Sequence, residues 1–455
     1  MSGSGEGATS RYDAVVLGAS TAGLLSALVL AQSSLRVALV ERDELPSDAG
    51  ARRGVPQSHH PHILLARGRA VLDELLPGFP AALDAAGAVT FDSGSELMFW
   101  GPAGRGRPVR SGLMMLSATR GLLDQCLRDR VLAYPGISLL AQTTASRLRA
   151  ERGQAGTPGV RVCGVSVRAD GGEGDIDAGL VVDATGRASR APVWLREIGV
   201  APATEVVVDP RQGYASRLYR PPPHWSADWV AAYVPPTPPG CRRGAVLLPV
   251  EGGRWLVGLT GRGDDQPPQD PGYLDFARSL PTPIVADALA AATPVSDIRP
   301  SRATANRWIR YDEMAHPPSG FAVVGDAACT FNPIYGQGMS AAALGALSLR
   351  DALAIVGGQV DSPRLPGLVA GGVARAVAAP WLLAVGQDAR FPQTVGGRQG
   401  PTDRLVGAYL DRLTWLAAED AVVRMAQLQV FHLLRPPSML FHPRLLMRAA
   451  RPLSR

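Results

Sequence analysis

Three segments of the sequence each join an apolar strand pattern to a turn that is rich in glycine or carries an acidic residue. In chain order, the residues at these turns are Gly18, Ser20, Gly23, Asp183, Gly186, Gly325 and Asp326. A strand that ends in such a turn before a helix exposes unpaired backbone N–H groups and the positive helix N-terminus. A carboxylate there accepts hydrogen bonds from hydroxyl groups. Their repetition in one chain is hard to explain by packing alone, so we interpret the turns as a ligand site.

The third of these segments, residues 320–347, combines the largest number of such features. Its pattern predicts a short strand over residues 321–324 and a small-residue helix that begins at Met339. The residues between them that would face a ligand are Gly325, Asp326, Pro333, Gly336 and Gly338. An acceptor carboxylate next to a helix N-terminus suits a polyol and an electron-rich ring.

The first segment predicts a strand-helix-strand unit with a dinucleotide-binding pattern. Gly18 would form the turn, Gly23 would allow close helix packing, and Glu41 would bind the adenosine ribose. The second glycine of that pattern is replaced by Ser20. Two alternatives stay open from this segment alone: a purely structural turn, and a hydrolase nucleophile elbow, which would require glycine where Ala22 stands.

Arginines near these turns are candidates for binding anionic groups. We assign Arg42 and Arg52 to a cofactor pyrophosphate or ring edge, and Arg120 follows Thr119, a predicted cap of a helix that runs to residue 132. The loop at residues 43–61 and His62 carry three histidines, but no carboxylate or cysteine is spaced to complete a metal site. We therefore expect hydrogen-bonded or solvated histidines.

The composition excludes several classes of chemistry. The 455-residue chain contains no lysine, so a Schiff-base enzyme or a P-loop nucleotide enzyme is excluded. The net charge of +6 comes from scattered arginines, which argues against a nucleic-acid partner. The four cysteines have no metal-ligand spacing, and the N-terminal residues lack a signal-peptide pattern. A reduced, cytoplasmic protein without a structural metal is therefore expected.

The alternation of patterns predicts an α/β fold with a discontinuous Rossmann-like nucleotide domain, an inserted, mostly antiparallel β-sheet domain and a C-terminal helical region. The expected boundaries are residues 10–87, 117–204 and 299–356 for the first, 88–116 and 205–298 for the second, and 357–455 for the third. Residues 368–386 are expected to form a buried helix and not a membrane span. The basic, apolar tail is expected to pack on the substrate domain, with peripheral membrane contact as the alternative.

Large apolar side chains in the predicted inserted sheet are candidates for contact with a hydrophobic ligand. These residues are Phe99, Trp100, Met114, Tyr214 and Tyr219. For any one of them an ordinary place in the sheet core is the simpler interpretation. Phe331, Pro333 and Tyr335, which precede the helix of the third segment, are expected to border the same chamber.

Taken in order, the three turns resemble the FAD motifs of the single-component flavoprotein monooxygenases related to para-hydroxybenzoate hydroxylase and squalene epoxidase. The segments RRGVPQSHHPHILLARG, GYASRLYR, EGGRWLVGLTGRG and FNPIYGQGMSAAA resemble more closely an actinobacterial branch that includes polyether polyketide epoxidases. This resemblance covers about residues 10–355. It implies FAD as cofactor and NAD(P)H as transient reductant, either directly or through a separate flavin reductase.

The resemblance also implies roles for individual residues. Glu41 would hold the adenosine ribose, Arg120 and the first turn the pyrophosphate, and Asp326 the ribityl chain. The backbone of residues 336–339 would lie beside the isoalloxazine. The implied reaction is insertion of one oxygen atom, as epoxidation or otherwise hydroxylation, into a large hydrophobic polyketide-type product by a monomer or homodimer.

Two other functions are alternatives to oxygen insertion. A redox-neutral [4+2] cyclase that retains FAD only to shape its pocket also resembles this branch, and the motifs do not separate the two. A flavin halogenase is disfavoured because that resemblance would require an active-site lysine.

Overall fold

The computed structural model describes residues 10–50, 52, 54–152, 159–397 and 399–450. The strands are β1 (Ser10–Leu17), β2 (Val37–Val40), β3 (Ile63–Leu64), β4 (Val89–Asp92), β5 (Leu97–Gly101), β6 (Gly104–Arg105), β7 (Met114–Ser117), β8 (Ile137–Leu140), β9 (Thr144–Arg152), β10 (Val160–Ala169), β11 (Gly172–Asp183), β12 (Glu205–Val208), β13 (Gln212–Arg220), β14 (Ala231–Val234), β15 (Gly244–Val250), β16 (Arg254–Arg262), β17 (Thr293–Pro294), β18 (Arg299–Ser301), β19 (Asn306–Ile309), β20 (Phe321–Val323) and β21 (Cys329–Thr330).

The helices are α1 (Thr21–Gln32), α2 (Ala66–Leu75), α3 (Phe79–Ala85), α4 (Arg120–Leu132), α5 (Ala191–Glu197), α6 (Tyr273–Arg278), α7 (Ile284–Ala291), α8 (Gly338–Ile355), α9 (Leu365–Asp388), α10 (Pro401–Leu416), α11 (Ala421–Phe431) and α12 (Pro443–Ala449). The predicted cap of α4 is confirmed, because the Thr119 hydroxyl accepts a hydrogen bond from Leu122 N. The helix predicted from residue 339 begins one residue earlier, at Gly338.

A largely parallel sheet forms the centre of the nucleotide-binding part. Its parallel strands lie in the order β8-β2-β1-β11-β20. β11 pairs with antiparallel β10 over its first half and with β20 over its last three residues, so β20 replaces β10 along that edge. Residues 14–17 of β1 are fully buried, as expected for a parallel strand with both faces covered, and the apolar helices α1 and α8 pack together beside it.

A second sheet, in the order β17-β13-β16-β15-β14-β5-β6, carries the predicted substrate side chains. Its neighbours are antiparallel except for the parallel pair β14 and β5. α6 and α7 cover one face with apolar side chains. The strand β7 does not join this sheet, because it pairs with β3 and β4 in a small separate sheet. The α/β fold with its inserted antiparallel sheet is confirmed, while the exact domain boundaries stay a prediction.

Two described helices, α8 and α9, are long and apolar enough to cross a membrane by length and composition alone. In their most apolar windows, 56% of residues in α8 and 33% in α9 are buried inside the protein. Pro380 lies within α9, and the fully buried, hydrogen-bonded Asp388 ends it. These polar and helix-breaking features fit a helix that packs on the protein better than a membrane span. The tail helix α12 packs on α10.

Candidate functional site

The three predicted turns meet at one edge of the parallel sheet. In the register of the central strands, Leu17 lies beside Asp183, and Asp183 lies beside Val323. The turns that follow β1, β11 and β20 are therefore side by side. In an open α/β sheet this carboxyl edge is where ligands bind. The three turns that the sequence analysis assigned to one site are thus adjacent in the structure.

Close packing explains the two glycines of the first turn. Gly18 has a φ of +93°, and a Cβ on it would lie 2.8 Å from the carbonyl oxygen of Ala184. A Cβ on Gly23 would overlap the carbonyl oxygen of Gly18. A side chain at Gly18 would separate the first turn from the turn after β11, and a side chain at Gly23 would separate the start of α1 from the first turn.

Ser20, the departure from the glycine pattern, is held by Arg120. Arg120 Nη2 donates to Ser20 Oγ at 2.6 Å and to Thr21 Oγ1 at 3.1 Å, while its Nε donates to Asp124 at 2.8 Å. Ser20 occupies the N-cap position of α1, yet its side chain makes no capping hydrogen bond. The helix N-terminus therefore keeps N–H groups available for an anion. Arg120, far from being an ordinary surface arginine, is buried at this turn.

Glu41 reaches back to the same turn from the end of β2. Its Oε2 accepts from Ala19 N at 2.7 Å and pairs with Arg52 at 2.8 Å, and Arg52 in turn donates to the Ala19 carbonyl at 2.8 Å. Arg42 is largely exposed and lies near Asp43. A cleft of about 150 Å³ opens here. Its lining includes the predicted cofactor residues Gly18, Ser20, Glu41, Arg42 and Arg52.

The Asp183 carboxylate is hydrogen-bonded within its own turn. Its side chain is fully buried and accepts from Thr185 N at 2.8 Å, from Thr185 Oγ1 at 2.6 Å and from Ser189 Oγ at 2.6 Å. Burial raises the pKa of Asp183 and these hydrogen bonds oppose the rise. The predicted cofactor role is therefore indirect for Asp183, because its carboxylate shapes the backbone around Gly186 and does not face the cleft.

Asp326 presents the opposite situation at the neighbouring strand end. It is half-buried in the 3₁₀ turn Gly325–Ala327, and within the described residues no donor is hydrogen-bonded to its carboxylate. Burial raises the pKa of Asp326, while the charges of Arg187 and Arg120 lower it. A half-buried carboxylate without a donor, close to two arginines, is an acceptor site for a ligand.

The loop before α8 is a 3₁₀ turn with a capping asparagine. In this loop, residues 331–338, the Asn332 side chain accepts from Ile334 N, and Gly336 packs on Ile63. Pro333 is exposed, and Gly338 begins α8. The predicted site residue Met339 has its side chain in the core, so only its backbone can face a ligand. We call residues 331–338 the Tyr335 loop.

Two of the predicted substrate residues share one face of the second sheet. The strand register aligns Ser216, Gly258, Val246, Tyr233 and Phe99 in a row, which we call the Tyr233 row. Tyr214 lies two residues from Ser216 and thus on the same face. The Tyr233 row lies on the face of the second sheet that α6 and α7 do not cover. This face is therefore the one directed towards the nucleotide-binding part.

The other predicted substrate residues lie elsewhere. Trp100 follows Phe99 in the strand, so it points to the opposite face and packs against the core under α6 and α7. Met114 belongs to the small β3-β7-β4 sheet. Phe331 is buried in the main core, and the Tyr335 hydroxyl donates to Asp388 at 2.7 Å. These positions depend on strand parity and on contacts between distant segments.

Two histidines that were expected to be hydrogen-bonded are so. His60 Nδ1 lies 2.9 Å from Ser216 Oγ in the Tyr233 row, and its ring packs edge-on against Tyr214 at 4.4 Å. His62 Nδ1 lies 2.7 Å from the His60 carbonyl oxygen. Burial lowers the pKa of His60 to about 4 and that of His62 to about 3, so both rings are neutral at pH 7.

Sequence reasoning missed several residues around the site. They are His60, Arg187, Tyr233, Arg262 and Asp388. The segment that carries His60 was singled out, but only the contact with Ser216 identifies which histidine meets the sheet. Arg187 directly follows Gly186 in the second turn, a position that could have suggested a role. Nothing in the local sequence marks Asp388.

The sequence of a curated protein is similar to this one over most of the chain. Protein Rv3254 of Mycobacterium tuberculosis is 32% identical over 439 residues, which span 92% of this chain and 89% of the relative. This chain belongs to the family of Protein Rv3254. No protein-family model matches the chain.

Solved structures show which fold this Rv3254-family chain has. The flavin-dependent brominase Bmp2 is similar with a TM-score of 0.66 at 15% identity, covering 93% of this chain and 94% of Bmp2. The p-nitrophenol 4-monooxygenase PnpA of Pseudomonas putida has a TM-score of 0.63 at 17% identity, covering 94% and 100%. PqsL of Pseudomonas aeruginosa, a probable FAD-dependent monooxygenase, has a TM-score of 0.59 at 17% identity, covering 92% and 98%. The chain thus has the fold of flavin-dependent oxygenases and halogenases.

Proposed function

We propose that this member of the Rv3254 family is an FAD-dependent monooxygenase. Its substrate would be a large hydrophobic polyketide-type natural product, and its reaction the epoxidation of an alkene or otherwise a hydroxylation. NAD(P)H would supply the electrons, directly or through a separate flavin reductase. The resemblance of the quoted sequence segments to polyether epoxidases supports the substrate class. We place the enzyme in the cytoplasm as a monomer or homodimer.

The observation that carries this proposal is the carboxylate of Asp326, which accepts no hydrogen bond from the residues that the structure describes. It lies at the sheet edge where the turns after β1 and β11 also end, near the positive charges of Arg187 and Arg120. A half-buried carboxylate loses part of its hydration, and a ligand that donates a hydrogen bond restores it. The ribityl hydroxyls of a flavin are donors of the required kind.

The other residues of the site also fit FAD. Glu41 accepts hydrogen bonds from Ala19, Arg52 and the Asp43 backbone N–H, and since a carboxylate accepts about four it has capacity left to bind the adenosine ribose. The uncapped start of α1, together with Arg120, would hold the pyrophosphate. The backbone of residues 336–339 would lie beside the isoalloxazine.

The side chains would act by binding, orienting and excluding water. When bound, FAD supplies the activation of oxygen, so no side chain has to be a nucleophile. The N-terminus of α8, whose N-cap position Gln337 makes no capping bond, would stabilise negative charge on the reduced ring. The Tyr233 row supplies apolar surface, from Phe99 and Val246, against which a hydrophobic substrate would pack. The absence of lysine argues against the halogenase chemistry named for some structural neighbours.

Two assays test the proposal. Under anaerobic conditions, NADH or NADPH, with or without a flavin reductase, should bleach the bound flavin. Under air, a candidate polyene should gain one oxygen atom, which ¹⁸O₂ labelling followed by mass spectrometry detects. A flavin that never bleaches would refute the monooxygenase. Product formation that continues without oxygen and reductant would select the redox-neutral cyclase in its place.

A further inference from the structure

A single buried carboxylate ends α9 and collects four side-chain donors. Asp388 has no exposed surface, and it pairs with Arg262 Nη2 at 2.6 Å. It also accepts from the Tyr335 hydroxyl at 2.7 Å, from Asn306 Nδ2 at 2.8 Å and from Asn332 Nδ2 at 3.2 Å. This is more than one ion pair, because both carboxylate oxygens are occupied.

The donors come from three segments that are distant in the sequence. Arg262 ends β16 of the second sheet, Asn306 begins β19, and Asn332 and Tyr335 belong to the Tyr335 loop. A further link runs through Gln212 of β13, whose Oε1 accepts from Asn332 Nδ2 at 2.6 Å. The Tyr335 loop is therefore bound by hydrogen bonds to the sheet that carries the Tyr233 row.

Stability alone is a poor explanation for this arrangement. Desolvation of two buried charges often cancels their attraction, and apolar residues of similar size are frequently as stable. Arg262 is almost fully buried, and its guanidinium lies 3.9 Å from the centre of the Phe391 ring. What a buried network of hydrogen bonds does supply is a fixed geometry for its members. The member next to the proposed flavin site is the Tyr335 loop.

We infer that Asp388 is a positioning residue that fixes the Tyr335 loop against the isoalloxazine and links it to the substrate-facing sheet. The inference rests on the proposed function, since it requires a flavin beside residues 336–339. Asp388 would act through the Tyr335 hydroxyl and the Asn332 turn without touching cofactor or substrate. Burial raises the pKa of Tyr335, and the nearby Asp388 charge raises it further, so the phenol stays a donor at all working pH values.

The test compares matched substitutions in the full-length FAD-bound protein. Tyr335→Phe removes one hydroxyl from the network, and Tyr409→Phe removes a hydroxyl that donates to the Leu440 carbonyl at 2.6 Å in the C-terminal helices. Asp388→Asn removes the central charge, and Asp420→Asn removes a carboxylate that caps α11 and pairs with Arg448. The readouts are the visible absorption and circular dichroism of the flavin, the FAD dissociation constant and the thermal midpoint.

We expect all four substitutions to lower the thermal midpoint, but only those in the network to change the flavin signals. Tyr335→Phe should weaken FAD binding about threefold and Asp388→Asn about tenfold, as expected when hydrogen bonds that orient a binding loop are lost. The two control variants should keep the parent spectrum and affinity. If Asp388→Asn does not fold, the pair Tyr335→Phe and Tyr409→Phe decides the question.

Two other outcomes would overturn the inference, and they are distinguishable. A parent protein that binds FAD, with network variants that keep its spectrum and affinity while losing stability, would show that Asp388 is only structural. A parent protein that binds no FAD would refute the proposed function, and this inference with it.

Discussion

The turns at the ends of β11 and β20 are neighbours, and both carry an aspartate, fully buried in the first and half-buried in the second, but they use it in opposite ways. Asp183 receives three hydrogen bonds from Thr185 and Ser189 within its own turn. Asp326 receives none within the described part of the chain and lies near Arg187 and Arg120. One carboxylate holds the protein backbone, and the other is available to a ligand. A strand-acid-glycine pattern therefore predicts where an acidic turn lies but not whether its carboxylate is free to accept from a ligand.

The largest effect is expected at Asp326. Asp326→Ala should weaken FAD binding about a hundredfold, because a hydrogen bond to a charged group contributes about 1.5–3 kcal/mol and each tenfold corresponds to about 1.4 kcal/mol. Fluorescence titration of the apoprotein measures this. Asp312→Ala, which removes a carboxylate paired with Arg310 away from the sheet edge, is the control. If Asp326→Ala binds FAD as tightly as the parent does, then Asp326 is no more available to the ligand than Asp183, and the contrast between the two aspartates is wrong.

Substitution of Asp183 should affect folding more than binding. Asp183→Ala leaves the buried donors of its turn unpaired and should lower the free energy of unfolding by about 2 kcal/mol. Urea denaturation of the apoprotein measures the loss. Asp177→Ala on the same strand removes a half-exposed partner of Arg149 and should change little. If Asp183→Ala is as stable as the parent but has lost its affinity for FAD, then Asp183 and not Asp326 is the carboxylate that binds the cofactor.

The difference between these two aspartates shows where sequence analysis is sufficient and where it is not. Local signals predicted Gly18, Gly23, Glu41 and the helix capped by Thr119, because turn geometry and capping depend on adjacent residues. The partners of Asp183 are also local, since Thr185 and Ser189 follow it. The environment of Asp326 is not local, because it depends on arginines from two other strand ends.

Contacts between distant segments account for the other differences. Tyr335 was expected to face the substrate, but its hydroxyl meets Asp388, which lies 53 residues further along the chain. Strand alternation does predict that Phe99 and Trp100 point to opposite faces. It does not tell which face α6 and α7 cover, so Trp100 was placed on the wrong side.

The turn after β1 combines the properties of the two aspartate turns, because part of it is hydrogen-bonded within the protein and part is open to a ligand. In this turn Arg120 donates a hydrogen bond to the Ser20 hydroxyl, while no side chain caps the start of α1. Ser20→Ala should release one arm of Arg120 and weaken FAD binding about threefold, the size of one net hydrogen bond. Ser26→Ala removes a hydroxyl bonded to the Ala22 carbonyl on the same helix and is the control. Equal affinities for the two variants would remove Ser20 from the site.

The pH dependence of the apoprotein should show the smallest effect. Burial raises the pKa of Asp326 above its ordinary value of 3.8, so the ionised carboxylate lowers the stability of the fold at neutral pH. This cost disappears as the pH falls below the ordinary pKa. Asp326→Asn should therefore have a thermal midpoint about 1–2 °C above that of the parent at pH 7, and the difference should vanish once the pH falls below 3.8. Asp183→Asn, which loses an acceptor for its turn, should be less stable than the parent at pH 7.

The central claim is that the edge formed by β1, β11 and β20 binds FAD through Asp326. The most direct measurement is the visible spectrum of the purified protein after addition of FAD and removal of the excess, with the released flavin quantified after denaturation. We expect one FAD per chain in the parent and in Asp312→Ala, and a large loss in Asp326→Ala. A parent protein without bound flavin, or an Asp326→Ala protein that retains it fully, would contradict the account.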